Sequence, residues 1–342
     1  MTNNRFHADK WHIIRTRAAV IREVRLFFEN AGFTEFDAPL MTPYPSLDAN
    51  ISSFKVDWHL MNGSARDCFL HSSPEHAMKK VLAAAESDLF FCGKVFRDFE
   101  LTDLHNPEFT MAEWYRKNAD YQSIMADTEN LVHSLAVFIH GKSVIRFKGM
   151  DIDLSIPWDR MSIRELFLRH CQMDLHENKS LSALQNAASS SGIYFDASDD
   201  WETLFFRLMM EKIEPLLDKR RPVFVYDYPA EMGLMAKRKD AHPEWVERVE
   251  LYIGGMECAN GYSELTDWKE QKNRFLHEQK KLKDLTGRKL PVDCELIEAL
   301  KQNLPPCSGM ALGLDRIIML LLDADHIRKV LPFAFHEWTG EE

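Results

Sequence analysis

Four stretches of this chain combine residue types that do chemistry. Arg97 follows an apolar run (Leu89, Phe90, Phe91), a polar turn comes next, and the chain leaves as Phe109-Thr-Met-Ala-Glu-Trp-Tyr115. That pattern predicts strand, loop, strand. On the second strand Phe109, Met111, Glu113 and Tyr115 share one side, while Thr110, Ala112 and Trp114 share the side packed under helices. Glutamate is rarely buried without a partner, so Glu113 is either solvated on a half-exposed hairpin or part of a polar pocket. Ser72 or Ser73, with Pro74 and Glu75, reads as a helix start, where a hydroxyl and an acid satisfy the positive end. Glu257 and Glu264 bracket an expected turn at Asn260-Gly261. Two carboxylates flanking a turn can face one cavity and suit magnesium held by few protein ligands plus phosphate oxygens; from the residues alone, exposed hairpin carboxylates are the commoner explanation. Ser308, Gly309, Ala311 and Gly313 precede Asp315-Arg316 at a strand-to-helix change. Small residues let backbone approach a ligand, and a helix start favours phosphate.

These groups need a frame. Trp11 to Asn30 reads as an amphipathic helix with Ile14, Ala18, Ile21 and Val24 at helical spacing and Gly32 as its C-cap. A strand ending at Pro39 follows. Residues 51–70 read as strands and a loop, 121–139 as a helix, and 141–156 as a short hairpin. Residues 162–215 read as mainly helical with a polar break over 187–200, where Asp196, Asp199, Asp200 and Glu202 read as a solvated loop and cap. Val223 to Tyr228 reads as a strand ended by Pro229, and 247–265 as two strands around Gly254-Gly255.

With 342 residues the chain can bury a large core, and 45% apolar and 28% charged residues are ordinary for a globular protein. A formal charge of −11 argues against a general nucleic-acid binder. The cluster Lys280, Lys281, Lys283, Arg288 and Lys289 reads as a solvated helix end. Six scattered cysteines form no zinc-like spacing. With no signal-like start and no long apolar span, the expected location is the cytoplasm, away from membranes.

The stretch from Phe96 to Arg116 resembles motif 2 of the class II aminoacyl-tRNA synthetases, and HNPEFTMAEWY resembles their lysyl subgroup. The helix–Gly–strand–Pro unit at the start is similar to motif 1, which builds a dimer interface, and SGMALGLDRIIMLLL is similar to motif 3. The resemblance implies an α+β fold, a mainly antiparallel sheet flanked by helices, forming a single catalytic domain over residues 1–342 and a homodimer. It implies that Arg97 grips the α-phosphate of ATP, that Phe109 stacks on adenine near His105 and Asn106, and that Arg316 holds the γ-phosphate side. Such roles suit a planar guanidinium and an aromatic face. Glu100, Cys258 and Gly313 join the expected ATP contacts. Glu257 and Glu264 are the expected magnesium and substrate carboxylates, and Ser73, Glu75, Glu113, Tyr115, Glu264 and Ala311 the expected amino-acid pocket. Motif 2 usually has glutamate two residues after the arginine; here that position is Phe99, with Glu100 one step later.

Only about ten residues precede the first helix, too few for the anticodon-reading barrel of bacterial lysyl-tRNA synthetases. Ala311 stands where those enzymes usually have glycine. In this, and in its SPE, HNPEFTMAEWY and ANGYSEL patterns, the chain is similar to the elongation factor P β-lysine ligase family, a shortened paralogue. The segment Pro229–Met232 is closer to the tRNA synthetases themselves. The resemblance implies ATP-dependent activation of (R)-β-lysine as its adenylate and transfer to a lysine ε-amine of elongation factor P, without tRNA. The alternatives are an α-lysine or other amino-acid ligase on the same fold, or a non-catalytic regulatory paralogue.

Overall fold

The computed structural model describes residues 10–302 and 304–339. Its centre is an eight-stranded sheet with the spatial order Thr34–Glu35, Leu89–Phe96, Glu108–Lys117, Cys307–Gly313, Met256–Ser263, Trp245–Ile253, Val223–Pro229, Asp159–Ser162. Only the two outermost pairings are parallel. The expected α+β, mainly antiparallel architecture is present.

One face of the sheet packs on the helices Lys10–Asn30, Tyr121–His140 and Leu314–Leu321. Ala112 and Trp114 point there, as the alternation predicts, and the Phe28 ring lies 5.0 Å from Trp114 and 5.1 Å from Phe90. Asp120 caps Tyr121–His140 by accepting from the N–H groups of Gln122 and Ser123, and Gly141 ends it at φ +70°. The first helix differs from the expected stripe. Its buried residues are Arg17, Val20, Val24 and Phe28, and Ala18 is exposed. The reason is an ion pair. Arg17 Nη1 lies 2.5 Å from Asp315 Oδ1, its Nη2 donates to Thr110 Oγ1, and Asp315 Oδ2 accepts the Thr110 N–H at 2.9 Å. A charged residue therefore occupies the helix's inner face and ties the N-terminal helix, the central strand and the C-terminal helix together.

The opposite face carries the site. It is flanked on one side by the helices Glu75–Leu82, Trp268–Thr286 and Cys294–Lys301 and on the other by the helices within 163–213. The hairpin turn at Gly254-Gly255 is present, both glycines having positive φ. The second expected turn is not. Met256–Ser263 runs through Asn260-Gly261, paired on both sides. Gly261 serves close approach instead, since a Cβ there would lie 2.5 Å from the Gly309 carbonyl oxygen. The basic cluster's Lys281 pairs with Glu202. Among the described residues no helix is long and apolar enough to cross a membrane.

Candidate active site

A cleft of about 1170 Å³ opens on that face. Register explains what lines it. Phe91, Glu113, Ala311, Asn260 and Glu250 lie directly opposite one another across five neighbouring strands, so their side chains share a face. Glu257 and Glu264 are an odd number of residues apart and would point oppositely on an unbroken strand. A register shift beside Cys258, where Leu251 pairs with Ala259 but Tyr252 with Glu257, turns Glu257 back to the cleft side.

At one end the groups suit an anion. Arg97 lies beside the cleft with its guanidinium 5.3 Å from the Phe109 ring centroid and 3.7 Å from Glu100. Its Nε is buried and has no partner, a donor awaiting an acceptor. Phe99 has φ +64° and points into solvent, 88% exposed, whereas Glu100 lines the cleft. The left-handed turn at Phe99 thus leaves the later glutamate, Glu100, on the cleft side. Arg316 donates through Nη2 to His105 Nε2 at 2.5 Å and through Nη1 to the Glu257 carbonyl. Because the guanidinium can only donate, Nε2 accepts and the proton lies on Nδ1, which faces Thr102 Oγ1 at 2.7 Å. Burial, then Arg316 and Arg97, push His105 down to about 4, so it stays neutral. A Cβ at Gly313 would meet only ordinary contacts, beside Arg316.

Two of the expected nucleotide contacts, Asn106 and Cys258, line the cleft with their side chains engaged by protein groups. The Asn106 side chain is held from within: Nδ2 donates to the Glu108 carbonyl and Oδ1 accepts the Phe335 N–H. It braces the motif 2 turn. Cys258 turns its thiol into the core on the other face, donating to the Met256 carbonyl, and burial pushes that thiol up to about 12. Only its backbone reaches the Gly313 side of the cleft.

Glu257 opens into the cleft. The protein walls around it and the neighbouring Glu250 push its carboxyl up to about 7, against Arg316. Glu250 was not singled out in the sequence, although it lies seven residues before Glu257, as Glu257 does before Glu264. It is buried and accepts from the Tyr228 and Tyr252 hydroxyls and from Arg248. The charged neighbours of Glu264 are Lys79, Glu75 and Glu113, so the structure groups Glu257 with Glu250 and not with Glu264. Among the described residues no three His, Cys, Asp or Glu side chains form a metal cluster. Glu257, open to the cleft beside the already partnered Glu250, suits a magnesium ion that takes its remaining oxygens from phosphate and water.

At the other end the groups suit amines. Glu113 accepts from the Tyr115 hydroxyl at 2.6 Å and from Ser73 Oγ at 2.8 Å. Ser73 also accepts the Glu75 N–H at 3.0 Å, so it both starts the helix and orients the pocket. Burial and Glu75 push Glu113 up to about 7. Burial drives Glu264 well above the carboxylate range, opposed by Lys79 and reinforced by Glu75. Gly309 makes room for this arrangement, because a Cβ there would lie 2.3 Å from the Tyr115 ring and 2.9 Å from Glu264 Oε1. Ala311 lines the cleft beside Glu113. Sequence reasoning passed over Lys79 and Tyr262. Lys79 pairs with Glu75 at 2.7 Å and with Glu264, and Tyr262 donates to Glu75. Their signals were the i, i+4 spacing from Glu75 and the strand alternation from Glu264.

The family model for class II tRNA synthetases (D, K and N) matches residues 6–337. The chain is 36% identical to a lysine–tRNA ligase of Pelotomaculum thermopropionicum over 94% of its own length but 63% of that protein's. It is 34% identical to an elongation factor P–(R)-β-lysine ligase of Yersinia enterocolitica over 93% of both chains. A ligase of the same name from Vibrio cholerae is also 34% identical, over 94% of this chain and 95% of that one.

Proposed function

This chain belongs to the class II tRNA synthetases of the D, K and N group, and from that premise we propose that it is an ATP-dependent, AMP-forming ligase. It activates (R)-β-lysine as the adenylate and transfers it to a lysine ε-amine of elongation factor P. The observation that carries this reading is the two-ended cleft: arginines with an unpartnered buried donor at one end, and three carboxylates at the other, on one rigid sheet face.

In the first step a substrate carboxylate oxygen attacks the α-phosphorus of ATP. The bond from that phosphorus to the bridging oxygen breaks, and pyrophosphate leaves. Such chemistry needs positioning and charge stabilisation more than a protein nucleophile. Arg97 and Arg316 hold the phosphates, His105 orients Arg316 as a neutral acceptor, and the Phe109 ring takes adenine. Glu257, beside Glu250, would hold magnesium, which when bound supplies neutralisation of phosphate charge. Ser73, Glu75, Glu113, Tyr115 and Glu264 receive the amines. In the second step the acceptor's ε-nitrogen attacks the acyl carbon of the mixed anhydride, AMP leaves, and the nitrogen loses a proton as the amide forms.

The similarity to two ligases over nearly their full length supports the protein acceptor, and this reading needs no tRNA. A cytoplasmic homodimer belongs to the same reading: Trp11, Met41, Trp58 and Met61 are exposed near the N-terminal motif. The similarity to lysine–tRNA ligases favours a second reading, α-lysine as substrate. Pyrophosphate exchange without tRNA, with (R)-β-lysine and (S)-α-lysine side by side, separates the two. Preference for the β-isomer, abolished in Arg316→Ala, supports the proposal. Preference for α-lysine moves the chain to the second reading, and exchange unchanged in Arg316→Ala removes that residue's role.

A further inference from the structure

The amino-acid end contains a cation that belongs to the protein. Lys79 projects from the helix Glu75–Leu82 and is 1% exposed. Its ammonium lies 2.7 Å from Glu75 Oε1, contacts Glu264 Oε2, and sits 5.4 Å from the centroid of the Tyr262 ring. Glu264 is itself 2% exposed, lines the cleft, and its Oε1 has no hydrogen-bond partner. Glu113 receives two neutral hydroxyls and no cation within ion-pair distance. Three carboxylates thus face one buried ammonium, and with all three ionised two further cations would bring the set to neutrality.

We propose that Lys79 is a specificity-determining positioning residue, a resident ammonium that cancels one of the three carboxylates and tunes the pocket to a substrate carrying two ammonium groups. The inference rests on the reading above that this end of the cleft receives the amino acid. A buried charge is tolerated only when paired. Burial already favours a proton on Glu113 and Glu264 and Lys79 opposes it; without Lys79 the three neighbouring carboxylates would hold protons more tightly. The site would then offer one fewer anionic acceptor to the substrate. With Lys79 present, Glu75 is held below the usual carboxylate range, by Lys79 and His76 against burial, and the unpartnered oxygen of Glu264 remains available. The side chain's burial matters too: the substrate meets the charge balance Lys79 sets, not the lysine itself.

A plain structural brace between helix and strand would show the same contacts, so the test must read selectivity. Pyrophosphate exchange is measured for wild type, Lys79→Arg and Lys79→Met. The substrates are the lysine isomer that wild type activates and its analogue lacking the distal amine (norleucine or 3-aminohexanoic acid). Loss of one charged acceptor is expected to raise KM for the diamine by about tenfold or more in Lys79→Met. Its preference over the analogue falls in parallel, KM for ATP does not change, and Lys79→Arg restores both. Lys79→Gln, which keeps a donor between the carboxylates, carries the same expectation if Lys79→Met does not fold. A folded neutral variant with unchanged preference, or with KM for ATP raised equally, overturns the inference. Wild-type protein that exchanges with no lysine isomer refutes the underlying reading instead.

Discussion

Replacing Asp315 with alanine tests whether motif 3 is anchored from behind by the N-terminal helix. Asp315 is 1% exposed and its two oxygens take Arg17 Nη1 and the Thr110 N–H. Arg17 is 6% exposed, so Asp315→Ala leaves a buried guanidinium without its counter-charge. Breaking a buried pair from one side costs about 3–5 kcal/mol. Unfolding entropy of about 2.1 cal/mol/K per residue gives about 0.7 kcal/mol/K for 342 residues, so the expected fall in Tm is about 4–7 °C. Urea unfolding followed by circular dichroism reads the free energy directly. Arg17→Met/Asp315→Ala removes both charges and is expected to recover most of the loss, since replacing a buried pair as a unit is often near neutral. A cost below about 1 kcal/mol for Asp315→Ala, or a double variant less stable than the single, refutes the anchoring argument.

Four other outcomes are expected. Gly309→Ala forces a methyl against the Tyr115 ring, so it loses about 1–3 kcal/mol of stability and raises KM for the amino acid but not for ATP in the exchange assay. Glu113, lifted to about 7, is partly protonated at neutral pH, so affinity for a diamine rises as pH passes upward through 7; Glu113→Gln, titrated by calorimetry, loses that dependence. Because its folded value lies above the unfolded one, the same group favours the fold at low pH and loses that contribution as pH climbs from the ordinary carboxylate range through 7. His105 runs the opposite way: its folded value near 4 lies below the unfolded value of 6.5. Its contribution is full above 6.5 and lost as pH falls toward 4, so thermal melts of His105→Gln should lose less over that window than wild type. Ala311→Gly removes a methyl beside Glu113, and relative exchange with α-lysine should rise by about tenfold or more.

The reading of Phe96 to Arg116 survived contact with the structure because strand alternation is local. Once the segment is extended, Glu113 and Tyr115 must share a side and Trp114 must face the other way, whatever surrounds them. The same locality made the helix over 121–139 readable. It failed at Asn260-Gly261, whose dipeptide signals a turn only when its backbone is free to make one. Here neighbours on both sides take its hydrogen bonds, and the glycine is needed for close approach of the Gly309 backbone. At Asn106 and Cys258 packing adds what residue type does not carry: the amide braces the motif 2 turn and the thiol faces the core.

The sequence by itself determined the family, the order of its motifs, and which side chains belong to the cleft face of the central strand, because these depend on residue type and short-range period. Tertiary structure alone decided how charges from distant segments pair. Lys79 meets Glu264 across 185 residues and Arg17 meets Asp315 across 298, and a register shift of one residue moves Glu257 to the cleft. Electrostatic partnership depends on separation in space, and nothing in a linear chain encodes that separation until the sheet has closed.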